Sequence, residues 1–240
     1  MKNTVGVLFC GGKGLRMRPL TYYIQKVMLP ISGKPILEHI LIYFKKHGVT
    51  DLILLVDHMK EQIQGYFDNG ERWGLNLTYV PDKSEPKGTG TALLNAKKHI
   101  KGRRVIVYYS DIITDANLTE MIQYHQNHGK WATILATRGW QIRVGTAEID
   151  EAQYVKSFKE KPTLELLVNT GISILEPNVF DYLNEFDPNI SIDLSRDIFP
   201  NFVEKKQMKA YIPKKCYWED IGSIERYEKL DIEKIKSIME

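Results

Sequence analysis

The amino-acid sequence predicts an α/β fold: a doubly wound, mostly parallel, Rossmann-like sheet with helices on both faces and a small antiparallel lid. Up to about residue 140, runs of mostly apolar residues of strand length alternate with helical patterns. Such runs are typical of parallel strands that helices cover on both faces. After Trp140, three strand-like runs follow one another without helices, which indicates the antiparallel part.

The predicted elements follow from local pattern. The apolar runs of the first part predict strands at 5–10, 51–56, 75–80, 105–109 and 132–137. Helical spacing of apolar residues predicts helices at 36–47, 60–67, 91–100 and 118–127. The later section predicts strands at 145–149, 155–159 and 168–175, as a lid or an antiparallel edge of the sheet, and helices at 194–203 and 223–239.

Composition narrows the class of protein. The 240 residues suit one domain, and 43% are hydrophobic, enough for a sizeable core. The net charge of +3 is too small to favour a nucleic-acid or membrane partner. The two cysteines are Cys10 and Cys216, and we interpret Cys10 as a small buried thiol rather than half of a disulfide. Without a signal-peptide layout or a membrane-spanning run, we expect a cytoplasmic protein.

A glycine turn with basic residues follows the first predicted strand. Gly11, Gly12 and Gly14 let the main chain approach a bulky ligand and turn its amides toward it. Arg16, Arg18 and Lys26 add positive charge at the same place; we expect function for Arg16 and Lys26 and leave Arg18 open. Because ligands of open α/β sheets bind beyond the carboxyl ends of strands, we expect a nucleotide here, facing Asp111 at another strand end.

Two common phosphate-binding motifs fit this turn poorly. A dinucleotide fingerprint needs a third small residue where the chain has Met17, and its later acidic residue is not evident. A P-loop needs a Gly-Lys-Ser/Thr ending, which Lys13 and Arg16 do not supply.

The turn and five later segments, in order along nearly the whole chain, resemble the sugar-phosphate nucleotidylyltransferases, a family that includes glucose-1-phosphate thymidylyltransferases and mannose-1-phosphate guanylyltransferases. The turn segment reads GGKGLRMRPLT at 11–21, with KVMLPI at 26–31 and GKPIL at 33–37. The later segments are EPKGTG at 85–90, SD at 110–111, FKEKP at 158–162, NTGI at 169–172 and WEDIGS at 218–223.

This resemblance implies roles for individual residues. It implies catalytic roles for Arg16, at the departing pyrophosphate, and Lys26, at the sugar phosphate and the developing charge. The implied nucleotide-binding residues are Gly11, Gly12, Gly14, Glu85, Gly88 and Thr89. The implied sugar-binding residues are Glu160, Lys161, Asn169 and Gly171. The implied metal ligands, for Mg²⁺, are Asp111 and Asp220.

The resemblance also implies the reaction. We expect transfer of a nucleoside monophosphate from a nucleoside triphosphate to a sugar 1-phosphate, giving NDP-sugar and pyrophosphate. Glucose 1-phosphate with dTTP or UTP is preferred; the alternatives are mannose 1-phosphate with GTP, or a regulatory protein that binds NDP-sugar without turnover. The expected partners are these small molecules, with no nucleic acid and no membrane, and a homo-oligomer is left open.

We expect one domain, 1–240. Its parts would be a nucleotide-binding part (about 1–140), a sugar-binding part (about 141–222) and a C-terminal helix (223–240). No six-residue repeat of the β-helix type occurs in the sequence, so we expect a single activity without an acetyl-CoA site.

The chain departs from the family pattern at four positions. Leu15 stands where a threonine or serine is usual, Gln25 where proline is usual, Ser110 for glycine and Cys10 for alanine. We expect Leu15 to cost a hydroxyl near the triphosphate, and Gln25 to make the approach of Lys26 less rigid. None of these changes removes a charged group, so we expect activity to survive.

Several functional assignments have simpler alternatives. Asp111 could cap the next helix, Glu160 could pair with Lys161 on a turn, and Asn169 could satisfy a turn. For His125 and His128 we favour a solvated helix face over a metal pair. We interpret Trp73, Trp131, Trp140 and Trp218 as core or lid packing.

Overall fold

A computed structural model describes residues 3–82, 88–142, 144–187 and 189–239 of the chain. Within these residues, seven strands form one central sheet. In chain order they are β1 (Thr4–Phe9), β2 (Asp51–Val56), β3 (Asn76–Pro81), β4 (Arg104–Tyr109), β5 (Ala132–Thr137), β6 (Val168–Leu175) and β7 (Met208–Tyr211). Across the sheet their order is β7-β5-β6-β4-β1-β2-β3.

The sheet is mostly parallel, as predicted. β1 pairs in parallel with β2 and β4, β2 with β3, and β5 with β7. β6 is the exception, because it runs antiparallel to both of its neighbours, β4 and β5. The alternative of an antiparallel edge is therefore wrong for β6, which lies inside the sheet.

Helices cover both faces of the sheet. They are α1 (Ile36–Lys46), α2 (Lys60–Phe67), α3 (Thr89–Asn95), α4 (Lys97–Ile100), α5 (Leu118–His128), α6 (Val179–Asn184), α7 (Phe199–Glu204), α8 (Ile224–Glu228) and α9 (Ile232–Met239). Single 3₁₀ turns occur at Leu15–Met17, Leu20–Tyr22, Lys26–Met28 and Glu71–Trp73, and a π turn, Leu194–Ile198, leads into α7. No helix of the described residues is long and apolar enough to cross a membrane.

Two predicted helices are each divided in the structure. The helix expected at 91–100 is α3 followed by α4. The helix expected at 223–239 is α8 and α9, because the chain has two N-caps there: Ser223 Oγ accepts from the Arg226 amide, and Asp231 Oδ1 from the Lys234 amide. The sequence patterns did not predict α6 or β7.

The two faces of the sheet explain why its strands are mostly apolar. On β1, Val5 and Val7 pack into the core on one face, with residues of α3, α6 and α7. Leu8, on the same strand, packs into the core on the other face, with residues of α1 and α5. Successive residues of a strand point to opposite faces, so a strand covered on both sides needs apolar residues at every position.

Among the described residues, four two-stranded antiparallel ribbons accompany the sheet. One of them, Thr146–Ile149 with Val155–Lys159, corresponds to the predicted lid. The others pair Pro30–Ile31 with Lys34–Pro35, Trp140–Gln141 with Thr163–Leu164, and Ile112–Thr114 with Trp218–Asp220.

His125, on α5, is buried rather than part of a solvated face, so that prediction is wrong for this residue. Its Nδ1 lies 2.7 Å from Thr133 Oγ1, and its Nε2 lies 3.0 Å from Glu176 Oε1. Arg104 Nε also donates to Glu176 Oε1, at 2.7 Å. This cluster lies at the amino-end edge of the sheet, where the parallel strands begin, since Arg104 is the first residue of β4.

Candidate active site

The glycine turn after β1 depends on glycine at one position in particular. Gly14 has φ +60°, and a Cβ there would lie 2.9 Å from Thr21 Cγ2. The Gly14 carbonyl accepts from Thr21 Oγ1 at 2.8 Å and from the Met17 amide at 2.8 Å. The left-handed backbone and the close packing together require glycine.

A cavity of about 530 Å³, here called the first cavity, opens beyond the carboxyl ends of β1, β2 and β4. Seven of the predicted catalytic, nucleotide-binding and metal-binding residues line it: Gly11, Gly12, Gly14, Lys26, Gly88, Thr89 and Asp111. Glu85, predicted to hold the base, lies outside the described residues. The place of the cavity is the one expected for a ligand of an open α/β sheet.

Gly88 and Thr89 are fixed by the segment that leads into α7. A Cβ on Gly88 would lie 2.2 Å from the Ile192 carbonyl oxygen, so a side chain is excluded there. Thr89 Oγ1 donates to Asp193 Oδ2 at 3.0 Å and accepts from the Leu194 amide at 2.9 Å. Asp193 lines the first cavity, and sequence analysis did not single it out.

A second cavity, of about 460 Å³, adjoins the first. Arg16, Asn169, Gly171 and Asp220 line it, together with Arg226. Tyr109, the last residue of β4, and Asp111 line both cavities. A ligand in either cavity therefore reaches the same carboxylate.

Asp220 reaches this place through the ribbon of Ile112–Thr114 with Trp218–Asp220. The register sets Asp220 opposite Ile112, and the Ile221 amide donates to the Asp111 carbonyl at 2.7 Å. Two aspartates that are far apart in sequence therefore share one wall of the second cavity. Trp218, also of this ribbon, donates from Nε1 to the Thr170 carbonyl at 3.0 Å.

Each of these aspartates forms an ion pair with a basic side chain. Lys26 Nζ lies 2.6 Å from Asp111 Oδ2, and Arg226 Nη1 lies 2.5 Å from Asp220 Oδ2. All four side chains are less than a third exposed, so solvent screens these pairs less than surface pairs. Sequence analysis missed Arg226; the signal available was the capping serine three residues before it, which places it on a first helical turn.

Arg16 lies on the Asp220 side of the site. A Cβ on Gly222 would lie 3.0 Å from Arg16 Nη2 and 2.8 Å from Asp220 Oδ1, so the guanidinium packs against the Gly222 main chain. The side chain lines the second cavity. Its contact with pyrophosphate stays a prediction.

The predicted sugar-binding residues fall into two groups. Asn169 and Gly171 line the second cavity, with Asn169 Oδ1 accepting from the Gly171 amide at 3.3 Å. Gly171 has φ +81°, and a Cβ there would lie 2.4 Å from Tyr109 Cδ2. Glu160 and Lys161 are paired with each other at 3.8 Å and are mostly exposed, and they are not among the described residues that line either cavity.

Three of the four departures from the family pattern are buried. Cys10, Gln25 and Ser110 are each 1% exposed, whereas Leu15 is 58% exposed. Cys10 is a free thiol, and burial raises its pKa to about 12. Gln25 Nε2 donates to the Cys10 carbonyl and Gln25 Oε1 accepts from the Val27 amide, so hydrogen bonds stand here in place of a proline ring; the effect on the approach of Lys26 stays a prediction.

The donor set of the site fits Mg²⁺. The carboxylates of Asp111 and Asp220 line one cavity, and Mg²⁺ in nucleotide enzymes is bound by one or two carboxylates together with substrate phosphates. Within the described ranges no group of three or more His, Cys, Asp or Glu side chains could hold a metal ion. Water or oxygen atoms of a bound ligand would complete the coordination shell.

Comparisons with known proteins agree with this geometry. The chain is 31% identical over 238 residues to a UTP–glucose-1-phosphate uridylyltransferase from Synechocystis sp., covering 92% of this chain and 61% of that protein. It is 28% identical to a mannose-1-phosphate guanylyltransferase from Mycobacterium tuberculosis, covering 97% and 65%. The chain thus spans about three-fifths of the length of these curated relatives.

Solved structures share the fold. HddC from Yersinia pseudotuberculosis, complexed with GMP-PN, superposes with a TM-score of 0.72 at 26% identity, over 96% of this chain and 98% of that one. A putative glucose-1-phosphate thymidylyltransferase from Bacillus anthracis gives a TM-score of 0.75 at 21% identity, over 94% and 93%. The model of the family described as "Nucleotidyl transferase" matches residues 5–236. The chain belongs to the nucleotidyl transferase family.

Proposed function

We propose that this protein transfers a nucleoside monophosphate from a nucleoside triphosphate to a sugar 1-phosphate and releases pyrophosphate. The observation that carries the proposal is the pair of adjoining cavities that share Asp111 and Tyr109. Two ligands bound side by side would meet at this carboxylate. The names of the relatives, which refer to uridylyl, guanylyl and cytidylyl transfer to sugar 1-phosphates, support the same reaction class.

We assign the nucleoside triphosphate to the first cavity. The glycine turn supplies main-chain amides, and Lys13 and Lys26 supply positive charge beside them. Fixed donors and cations of this kind suit a polyanionic triphosphate. Gly88 and Thr89 form the opposite wall, next to the segment in which the resemblance places the base contact.

We assign the sugar 1-phosphate to the second cavity. Asn169 lines this cavity, and a side-chain amide suits a ligand rich in hydroxyls. Arg226 brings positive charge for a phosphate to this cavity, and Arg16, which also lines it, keeps its predicted role at the departing pyrophosphate. Glu160 and Lys161, between the strands Val155–Lys159 and Thr163–Leu164, stay predicted sugar contacts.

The reaction needs no protein nucleophile. An oxygen of the sugar phosphate attacks the α-phosphorus, the bond from that phosphorus to the bridging oxygen breaks, and pyrophosphate leaves. The main obstacle is the repulsion between two polyanions, so catalysis consists of positioning and charge stabilisation. Asp111 and Asp220 would hold Mg²⁺, which would offset negative charge on the phosphates when bound.

In this scheme Lys26 and Arg226 have a second role. Each neutralises a site aspartate before ligands arrive, which limits the repulsion that an incoming triphosphate would meet. Lys26, on the wall of the first cavity, is then close enough to its aspartate to act on the same phosphates.

For the substrates we keep glucose 1-phosphate with dTTP or UTP as the preferred pair. Mannose 1-phosphate with GTP is the alternative, and it is supported by the guanylyltransferases among the relatives and by the GMP-PN bound to the Yersinia protein. The cytoplasmic location and the expectation of no nucleic-acid or membrane partner stay predictions of the sequence. The oligomeric state is left undecided.

The test is pyrophosphate release measured with Mg²⁺ across four nucleoside triphosphates and a panel of sugar 1-phosphates. We expect one base and one sugar to stand out. If no pair releases pyrophosphate while an NDP-sugar binds tightly by calorimetry, the proposed enzymatic activity is contradicted. That result would favour a regulatory protein that binds without turnover.

A further inference from the structure

Gln25 is a buried polar side chain directly before Lys26. Its Nε2 donates to the Cys10 carbonyl at 2.6 Å, and its Oε1 accepts from the Val27 amide at 2.6 Å. Both ends of the side-chain amide therefore bind main-chain groups. These bonds hold the 3₁₀ turn Lys26–Met28, of which Gln25 is the N-cap, against the end of β1.

The Cys10 side chain continues this connection to the segment that carries Asp111. Cys10 Sγ lies 3.2 Å from Ser110 Oγ, and both groups are buried. A buried neutral thiol and a hydroxyl can share a hydrogen bond. Gln25, Cys10 and Ser110 thus form a continuous link whose two ends are covalently next to Lys26 and Asp111.

We propose that this link, here called the Gln25 bracket (Gln25, Cys10 and Ser110), positions the Lys26–Asp111 ion pair and thereby sets the catalytic rate. The three residues lie in the wall of the first cavity, but their polar atoms bind protein groups, so they are positioning residues. The effect on rate rests on the proposed function, in which Lys26 and Asp111 act on the phosphates. The effect on the ion pair does not.

The backbone at Gln25 supports this role. Its φ of −60° lies within the range that a proline ring imposes. Gln25 stands where the family resemblance expects proline, so hydrogen bonds here fix the torsion that a ring would fix covalently. The direction in which the chain presents Lys26 is therefore retained by a different physical means.

An outer contact completes the arrangement. The Gln25 amide, which proline would lack, donates to Gln62 Oε1 of α2 at 2.7 Å. Gln62 Nε2 in turn donates to the Tyr23 carbonyl at 2.7 Å. Gln62 is exposed, so water can replace this bond at little cost, and we expect it to matter less than the bracket.

The main test compares two substitutions at position 25. Gln25→Met keeps the length of the side chain and removes both of its hydrogen bonds; we expect kcat to fall by roughly 10-fold to 100-fold, as for a displaced catalytic group. Gln25→Pro keeps φ near its present value, so its kcat should lie much closer to that of the unchanged protein. The KM for the nucleoside triphosphate should change far less than kcat in both variants.

Three further variants complete the set. Gln123→Met, an exposed position on α5, makes the same chemical change as a matched control and should leave kcat unchanged. Gln62→Met removes only the outer contact and should give a small change in the same direction, which tests the arrangement even if Gln25→Met folds poorly. Adding Gln25→Met to Lys26→Ala should not lower kcat further, because Gln25 acts through Lys26. A purely structural defect would still lower kcat in the double variant.

A second readout does not need activity. An amine-reactive ester labels lysines at rates that peptide mass spectrometry can follow, with exposed Lys13 as the internal reference. Lys26 is 12% exposed and paired with Asp111, so it should be labelled slowly in the unchanged protein. We expect its labelling rate to rise several-fold in Gln25→Met and to be slow again in Gln25→Pro.

The outcomes separate the two proposals. Labelling of Lys26 at the unchanged rate in Gln25→Met, or equal kcat in that variant and the unchanged protein, would overturn the inference. If no substrate pair releases pyrophosphate but labelling responds as expected, the proposed function fails and the positioning of the ion pair by the bracket stands.

Discussion

The parallel strands of the central sheet have a carboxyl-end edge, where they end, and an amino-end edge, where they begin. Both carry charged groups of low exposure, but these groups have different partners. At the carboxyl-end edge, Asp111 and Asp220 each pair with one basic side chain in the wall of an open cavity. At the amino-end edge, Glu176 binds both Arg104 and the buried His125, and it lines neither cavity of the site.

The difference indicates what each edge is for. A carboxylate with several buried partners contributes to folding stability, and losing a partner leaves a buried group unsatisfied. A carboxylate in a cavity wall can exchange its partner for a ligand. The account therefore predicts that changes at the carboxyl-end edge alter turnover and that changes at the amino-end edge alter stability.

The largest expected effect is that of Asp111→Ala. Turnover should fall by roughly 10²-fold or more, since the change removes a carboxylate that both cavities share and also the partner of Lys26. Asp181→Ala, an exposed aspartate on α6, is the matched control. Unchanged turnover at saturating Mg²⁺ would contradict the predicted role of Asp111 as a metal ligand.

Arg16→Ala should have the next largest effect. We expect kcat to fall by roughly 10-fold or more, and by a larger factor than the KM for sugar phosphate rises, since the predicted role of Arg16 is at the departing pyrophosphate. Arg18→Ala is a close control, because this side chain lies 5.0 Å over the Tyr22 ring and should matter much less. If Arg16→Ala only raised the KM for sugar phosphate, the predicted role of Arg16 at the departing pyrophosphate would be wrong.

Glu176→Gln tests the other edge. We expect the free energy of unfolding to fall by about 1–3 kcal/mol, because Arg104 and His125 lose a charged acceptor, and kcat to stay unchanged. Urea unfolding followed by circular dichroism measures the first and pyrophosphate release the second. Glu185→Gln, an exposed acid after α6, should change stability little. A loss of turnover in folded Glu176→Gln would contradict the division between the edges.

The smallest expected effect is a pH dependence of stability. The hydrogen bond to His125, followed by the hydrogen bond and charge of Arg104, lowers the pKa of Glu176 below 4.5. A lowered carboxyl pKa stabilises the fold above pH 4.5, and this stabilisation is lost as the pH falls below that value through the folded pKa.

The Glu176→Gln variant isolates this term. Its stability deficit relative to the unchanged protein should shrink as the pH falls below 4.5, whereas other groups such as His128, with a pKa lowered by burial, affect both proteins alike. A deficit that stays constant through the acidic range would show that the carboxylate charge does not contribute.

Sequence patterns predicted most of the fold, because the strands of the first part are covered on both faces and so are apolar at most positions. The bounds of β2, β5 and α2 agree with those predicted. β7 was missed because this strand is short and carries a lysine. The antiparallel direction of β6 and its place inside the sheet depend on long-range pairing, which local periodicity does not encode.

The site was predictable where motifs mark it. The glycine turn, Lys26, Asp111, Asn169 and Gly171 line the two cavities. Arg226 and Asp193 were missed because their place follows from a capped helix and from the partner of Thr89. The buried state of His125 was also missed, since its partners are Thr133 of β5 and Glu176, which directly follows β6. The bonds of Gln25 were equally out of reach, because they depend on the main chain at the end of β1.

Nucleotidyl transfer is tested most directly with a nucleoside triphosphate labelled at the α-phosphate, together with Mg²⁺ and the sugar 1-phosphate that gives the highest rate. The account predicts that the label appears in NDP-sugar, with one unlabelled pyrophosphate formed for each labelled product. Label recovered in free nucleotide, or unchanged triphosphate with every sugar phosphate, would contradict nucleotidyl transfer at this site.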